Sequence, residues 1–376
     1  MPRPCGEEQV SLQDARGRVL SRDVIARHNV PYFDRSNFDG FAVRAEDTFG
    51  AQETAPVCLS LNPEVLACGV VPQNSVNKRT ATTIATGGVI PRGADAVVMI
   101  ENALPLDENE SGNKAVNILK PVVPTGGISL AGSDIGAGEV VLRVSDKLGY
   151  RETGTLAALG EEKVWVWKRP KVGIISTGDE LIAPGGKMEL GKVYDSNAIV
   201  ITHAVEELGC EPIRFGIIPD NKAQLEKAIR KALKTDFIIL SGGTSKGEGD
   251  LNYHVFEKFS NPGILVHGVS LKPGKPLCLA VLEGTPAAIL PGFPASSTFT
   301  FTKFIDPILR AMSGLPPEQK TTVKASVPAR LNSDKGRTEF HLVHLVRKAE
   351  GFRAYSTAVS YTHLRAHETS LHLVCR

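Results

Sequence analysis

Between Lys171 and Met312, short apolar runs alternate with segments of helical periodicity. KVGIIST, EPIRFGIIP, DFIIL, ILVHGVSL, PLCLAVL and AAIL are compact apolar runs bounded by Gly, Pro, Asp or Asn, the signature of buried strands. Asp195 or Ser196 is placed to cap a helix running from about Asn197 to Leu208, which Gly209 ends. Asp220 or Asn221 is placed to cap the next, whose Leu225, Ile229 and Leu233 recur every four residues on one face. A short helix over LNYHVFEKF follows, and a long one over ASSTFTFTKFIDPILRAM closes the unit. Such alternation predicts a mainly parallel sheet covered by helices on both faces, with ligands bound beyond the carboxyl ends of its strands.

The rhythm differs on either side. Residues 26–125 are short apolar runs broken by Pro, Gly and Asn, which predicts a β-rich domain. Residues 126–165 begin Gly-rich and end in the helix-like LGYRETGTLAALG; with residues 1–25 they read as one discontinuous linker domain. Residues 166–313 form the α/β domain. Strand patterns return in TTVKASVPARL and TEFHLVHLV, so residues 314–357 read as a truncated C-terminal β domain. The fold class expected is therefore multidomain α/β: a central, mainly parallel sheet, an elongated β-rich N-terminal region and an incomplete C-terminal β domain.

Composition narrows the function classes. A net charge of +2 argues against nucleic acid as a partner. No stretch approaches the roughly 20 apolar residues of a membrane span, and MPRPCGEEQV has no signal-peptide core. The six cysteines form no CxxC pair or metal-ligand spacing, which suits a reducing, cytoplasmic setting. Cys210 and Cys278 sit in apolar runs and read as buried thiols.

Three polar loops follow strands of the α/β unit, where the crevice of such a sheet lies. They are Ser176 to Glu180, Pro219 to Asn221, and the glycine-rich Ser241-Gly242-Gly243-Thr244-Ser245 continuing to Asp250. A glycine-rich turn opening toward a helix offers backbone N–H groups to a phosphate. Asp220, Glu248 and Asp250 suit Mg²⁺, which takes oxygen ligands and bridges phosphates. Plainer readings stand beside these: Asp220 as a helix cap, and Ser241–Asp250 as a surface loop, since it lacks the Walker pattern. Lys272-Pro273-Gly274-Lys275 sets two ammonium groups on one turn, an anion seat or a solvated hairpin. Ser296 and Ser297 lie near the start of the closing helix, another anion seat or a simple cap.

Taken in order, FDRSNFDGFAVR, IATGGVIPRGADAVVMIEN, SLAGSDIGAGEVV, VGIISTGDELI, YDSN, SGGTSKGEGD, LKPGKPL and LPGFPASS resemble the molybdopterin molybdotransferase family, the MoeA and gephyrin E-domain group. The resemblance covers roughly residues 10 to 350. It implies an enzyme of molybdenum cofactor biosynthesis that takes adenylylated molybdopterin and molybdate, needs Mg²⁺, releases AMP and works as an elongated homodimer with sites between subunits. By motif, Asp220 and Asp250 match acidic positions around metal and substrate, and Glu180 the acidic residue after the Thr-Gly-Asp turn. Asp39 matches the Asp-Gly motif, Thr86 the Thr-Gly motif, and Lys272 and Lys275 the Lys-Pro-Gly-Lys pair. The expected catalytic set is Asp39, Glu180, Asp220 and Asp250, with Asp220 and Asp250 on Mg²⁺. Thr86, Ser241, Gly242, Gly243, Ser245, Lys272, Lys275, Ser296 and Arg337 are expected to hold substrate, with Asp39 and Thr86 supplied by the partner subunit.

Two departures accompany the match. Phe293 stands where the family's Pro-Gly-Asn-Pro has its asparagine, and a phenyl ring cannot supply the amide's hydrogen bonds. Residues 358–376, with His363, His367 and His372, resemble a translated sequencing-adapter tail and read as non-native; metal binding by these histidines is the weaker reading. Two alternatives to the enzyme remain at this level: a non-catalytic dimeric scaffold, and a pterin- or nucleotide-binding module of the same fold.

Overall fold

In the computed structural model the described residues are 2–106, 114–242, 251–319, 321–328, 336–349, 351–356 and the backbone of 370–375. The chain folds as two compact units, one of Asp23–Arg143 with Arg151–Glu162, the other of Met1–Arg22, Val144–Tyr150 and Lys163–Arg376.

The first unit is built on a six-stranded sheet. In chain order its strands are β1 (Gly40–Val43), β2 (Val57–Leu66), β3 (Thr80–Ile84), β4 (Ala96–Met99), β5 (Ala103–Leu106) and β6 (Ala115–Ile118). They lie in the order β4-β1-β3-β2-β6-β5. Phe41, Val43, Leu59, Ala81, Val98, Val116 and Ile118 pack on one another as its core. The helix-like stretch after residue 149 is helical, as α1 (Tyr150–Ala158).

The second unit holds the α/β sheet. Its strands are β7 (Lys171–Thr177), β8 (Glu211–Ile218), β9 (Phe237–Ser241), β10 (Gly263–His267), β12 (Cys278–Leu282) and β13 (Thr285–Leu290); a short β11 (Leu271–Lys272) pairs elsewhere. The sheet order is β8-β7-β9-β13-β12-β10. The β8-β7-β9-β13 pairings are parallel, and β12 joins β13 and β10 antiparallel. Strand alternation explains why the central runs β7, β9 and β13 are buried along almost their whole length. Val172, Ile174, Phe237, Ile239, Ala288 and Leu290 face α2 (Ser196–Glu207) and the closing helix through Ile201, Val205, Phe301, Ile305 and Leu309. The residues between them, Ile175, Ile238, Leu240, Ala287 and Ile289, face α3 (Lys222–Ala232) and α4 (Leu251–Phe256) through Leu225, Ile229, Val255 and Phe256. Both faces are covered, so alternate positions cannot be polar.

The closing helix is not uniform. It begins as α5 (Pro294–Thr300), widens into a π turn over Phe301–Ile305 and resumes as α6 (Asp306–Met312). Pro307 has no N–H to donate and crowds the preceding turn, which the wider turn accommodates. Cys210 and Cys278 are buried; burial pushes the Cys210 thiol up to about 12.

Beyond the helix, β11 pairs in parallel with β14 (Thr338–Lys348), which also pairs antiparallel with β15 (Gly351–Ser356) and with the backbone of Ser370–Cys375. No helix among the described residues is long and apolar enough to cross a membrane.

Candidate functional site

At the carboxyl ends of β7, β9 and β13 lies a cleft of about 700 Å³. Thr177, Gly178 and Glu180 line it from the loop after β7, Asp220 from the loop after β8, and Ser241 and Gly242 from the end of β9. Asp195, Ser196 and Asn197 line it from the start of α2, and Pro291 to Pro294 with Ser296 from the start of α5. It falls where a parallel sheet presents loops and helix N-termini together, and its size suits a nucleotide-sized ligand.

Local chemistry explains the loop geometry. Asp195 caps α2 by accepting from the Ala198 N–H at 3.0 Å. Asn221 caps α3, accepting from Ala223 and Gln224 at 3.0 and 3.1 Å. The cap of α3 is thus Asn221, which leaves the Asp220 carboxylate to the cleft; the Asp220 N–H donates to Asp179 Oδ1 at 3.1 Å and ties the first two loops. Gly178, at φ +147, has the Glu180 carboxylate folded over it, and a Cβ there would lie 2.5 Å from Glu180 Oε2. At Gly242, φ +115, a Cβ would lie 2.2 Å from the Thr177 carbonyl oxygen. At Gly242 the close backbone excludes a side chain, and at Gly178 the positive φ favours glycine.

Two buried asparagines hold the loops together. Asn197 donates to Ser241 Oγ and to the Gly292 carbonyl, both at 2.9 Å. Asn252 donates to Thr177 Oγ1 at 2.8 Å and to the Gly242 carbonyl at 2.7 Å. Asn252 is fully buried, and its Oδ1 has no hydrogen-bond partner among the described residues. Asn197 lies in the YDSN run, but nothing in the sequence marks Asn252, because its partners are 75 and 10 residues away.

The remaining expected residues fall in three places. Gly243, Ser245, Glu248 and Asp250 lie outside the described residues. Lys272, Lys275 and Arg337 do not line the cleft, although Pro276 does. Lys272 Nζ is instead 2.8 Å from Glu339 Oε1, so the Lys-Pro-Gly-Lys turn is not a pair of bare cations. Ser296 lines the cleft but does not cap its helix; Phe293 occupies the cap position with no side-chain hydrogen bond. Asp39 and Thr86 belong to the other unit, where Asp39 Oδ1 accepts from the Thr86 N–H at 2.7 Å and from Thr86 Oγ1 at 3.0 Å. These bonds, the backbone one first, hold the Asp39 carboxyl below its ordinary range.

Comparison with known proteins decides the lineage. The model of the MoeA N-terminal region (domain I and II) matches residues 2–160, and that of the probable molybdopterin binding domain matches residues 173–311. The molybdopterin molybdenumtransferase 2 of Mycobacterium tuberculosis is 34% identical over 370 residues, covering 97% of this chain and 89% of the relative. The chain belongs to the MoeA family.

The molybdopterin molybdenumtransferase of Haemophilus influenzae is 36% identical over 315 residues, covering 84% of this chain and 75% of its own. A molybdopterin biosynthesis MoeA structure from Pyrococcus horikoshii superposes on this MoeA-family chain with a TM-score of 0.81 at 33% identity, covering 99% of this chain and 93% of that one. The multidomain α/β fold is the family's, and the chain has a role in molybdenum cofactor biosynthesis.

A second cleft of about 400 Å³ lies between α2 and the closing helix of this MoeA-family chain. Its charged rim is largely self-paired: Arg310 Nε is 3.2 Å from Asp306 Oδ1, and Lys147 Nζ donates to the Glu207 carbonyl at 3.1 Å. It holds no cluster of strand-end loops comparable to the first.

Proposed function

We propose that this chain is a Mg²⁺-dependent molybdopterin molybdenumtransferase, inserting molybdenum from molybdate into adenylylated molybdopterin with release of AMP, and that it acts as a homodimer. The observation that carries the reading is the strand-end cleft that gathers Glu180, Asp220, Ser241 and two helix starts, in a chain whose curated relatives bear that name over most of their length.

The donor set fits Mg²⁺. Glu180 and Asp220 offer carboxylate oxygens, and Thr177, Ser196 and Ser241 offer hydroxyls to the same cleft; Mg²⁺ is commonly held by one or two carboxylates, with water and substrate phosphate completing the shell. Asp220 would hold the ion together with Asp250. Bound Mg²⁺ supplies positive charge against the pyrophosphate of the adenylylated substrate.

The chain's own groups do the rest. The Ser241 oxygen accepts from Asn197, so its hydrogen is directed as a donor. The positive end of α2 faces the same space and favours a phosphate over a neutral group. Lys272, Lys275 and Arg337 hold oxyanions of molybdate or substrate. Asp39 and Thr86 come from the partner subunit.

Incubation of the purified chain with adenylylated molybdopterin, molybdate and Mg²⁺ should release AMP and load molybdenum in equal amounts. Asp220→Ala should lower both rates about 100-fold. Wild-type rates in that variant at saturating Mg²⁺ would remove Asp220 from the site. Binding of the adenylylated pterin with no molybdenum loading would favour a binding module instead.

A further inference from the structure

Strand pairing brings the Lys-Pro-Gly-Lys turn against the C-terminal sheet. β11 and β14 run parallel with Leu271 opposite Thr338 and Lys272 opposite Glu339. Residues opposed in a parallel pair project to the same face, and neighbours along a strand project to opposite faces. One face therefore carries Leu271 and Phe340, and these join Phe299 in an apolar cluster. Phe299 and Phe340 stack at 5.6 Å, and the Lys303 ammonium sits 4.7 Å from the Phe340 ring centre. The other face carries Lys272, Glu339 and His341. There Lys272 Nζ is 2.8 Å from Glu339 Oε1, and His341 Nε2 is 3.8 Å from Glu339 Oε2.

The two partners are unequally exposed. The Glu339 side chain is 4% exposed, whereas Lys272 is 47% exposed. A buried carboxylate carries a large desolvation penalty unless it is paired, and its rigid strand and the stacked rings beneath leave it little freedom. A half-exposed lysine on a turn has many rotamers, and fixing it takes entropy. The buried partner is thus the fixed one, and the lysine is the one being held. Among the described residues His341 Nε2 is buried without a hydrogen-bond partner, and the Glu339 oxygen it lies nearer is Oε2, not the one that faces Lys272.

We propose that Glu339 is a positioning residue: through its bond to Lys272 it aims the ammonium at the bound oxyanion and limits its net positive charge. The inference rests on the assignment of Lys272 as an oxyanion holder. It gives the C-terminal sheet a part in the reaction, since Glu339 belongs to β14 while Lys272 ends β11. A carboxylate beside the cation weakens ground-state attraction for an anion but restricts the geometries in which it is held. Restricting geometry raises rate rather than affinity.

A double-mutant cycle tests this. The proteins are wild type, Lys272→Met, Glu339→Gln and the double variant, compared at equal folded fraction by thermal unfolding. Removing both charges leaves no unpaired ion at the pair, so the double variant keeps the cycle readable if a single variant is unstable. Glu339→Gln should lower kcat about tenfold while molybdate binds about threefold more tightly, a split that general damage to the fold would not produce. In the Lys272→Met background, Glu339→Gln should lower kcat no further. Additive losses, or a wild-type kcat for Glu339→Gln, overturn the proposal, and so does a wild-type kcat for Lys272→Met, which leaves nothing to position. A readout independent of turnover is the Nζ resonance of Lys272 in ¹⁵N-lysine-labelled protein, assigned by its loss in Lys272→Met. It should be protected from exchange in the wild type and exchange faster in Glu339→Gln; an unchanged exchange rate there overturns the positioning role. Absence of turnover in the wild-type chain would refute the enzymatic reading alone, because this resonance still decides the role of Glu339.

Discussion

The bonds to Asp39 make a testable residue-scale case. Its carboxylate accepts first from the Thr86 backbone N–H and second from the Thr86 hydroxyl, and both favour the charged form. The folded pKa is therefore depressed below the ordinary 3.8. Stability from this group is fully present above the unfolded value and is lost as pH falls through the lowered folded value. Thr86→Val removes the hydroxyl and keeps the N–H. The Asp39 midpoint in an NMR titration should rise toward the ordinary value without reaching it. An unchanged midpoint would show that the hydroxyl bond contributes nothing. The pairing itself could not be read from the chain, where the two residues lie 47 positions apart.

Among the elements, the strand-end loops depend on asparagines placed by the helices. Asn252 starts in α4 yet donates to the ends of β7 and β9. Asn252→Ala leaves the Gly242 carbonyl and Thr177 hydroxyl without that donor and should destabilise by about 2–4 kcal/mol in urea unfolding; a change under about 0.5 kcal/mol would mean that water replaces both bonds. α5 offers the opposite case. Phe293 is 65% exposed at its cap position and makes no cap bond. Phe293→Asn should stabilise by about 1 kcal/mol, read as a higher unfolding midpoint with an unchanged slope. A lower midpoint would show that the ring contributes packing that its exposure does not suggest.

For the whole molecule, the proposed homodimer makes a quantitative demand. If Asp39 reaches the site of the partner subunit, Asp39→Ala and Asp220→Ala chains are each inactive alone. Mixed after dissociation, half the dimers are heterodimers, and each has one site with both residues intact, so activity should recover to about a quarter of wild type. No recovery, with mixed dimers verified by mass, would place both residues in one subunit's site.

The sequence alone determined the α/β unit and the candidate loops. Its apolar runs and caps are local signals, and a sheet buried on both faces requires continuous apolar strands, as Val172 to Ile175 and Phe237 to Leu240 show. The Thr-Gly-Asp-Glu, Pro-Asp-Asn and Ser-Gly-Gly loops follow those strands, so topology had to gather them at one end, and Glu180, Asp220, Ser241 and Gly242 do line one cleft. Cap assignments were only half legible: Asp220 and Asn221 are adjacent and both suited, and backbone geometry chose Asn221. Tertiary structure alone decided the rest. Asn252 reaches across the loops because α4 packs on the sheet. Lys272 meets Glu339, 67 residues later, because a short parallel pairing sets their side chains on one face. Local signals record which residues can form a strand, cap or turn; contacts between distant segments depend on how those elements pack, and a single chain read in order does not encode them in any local pattern.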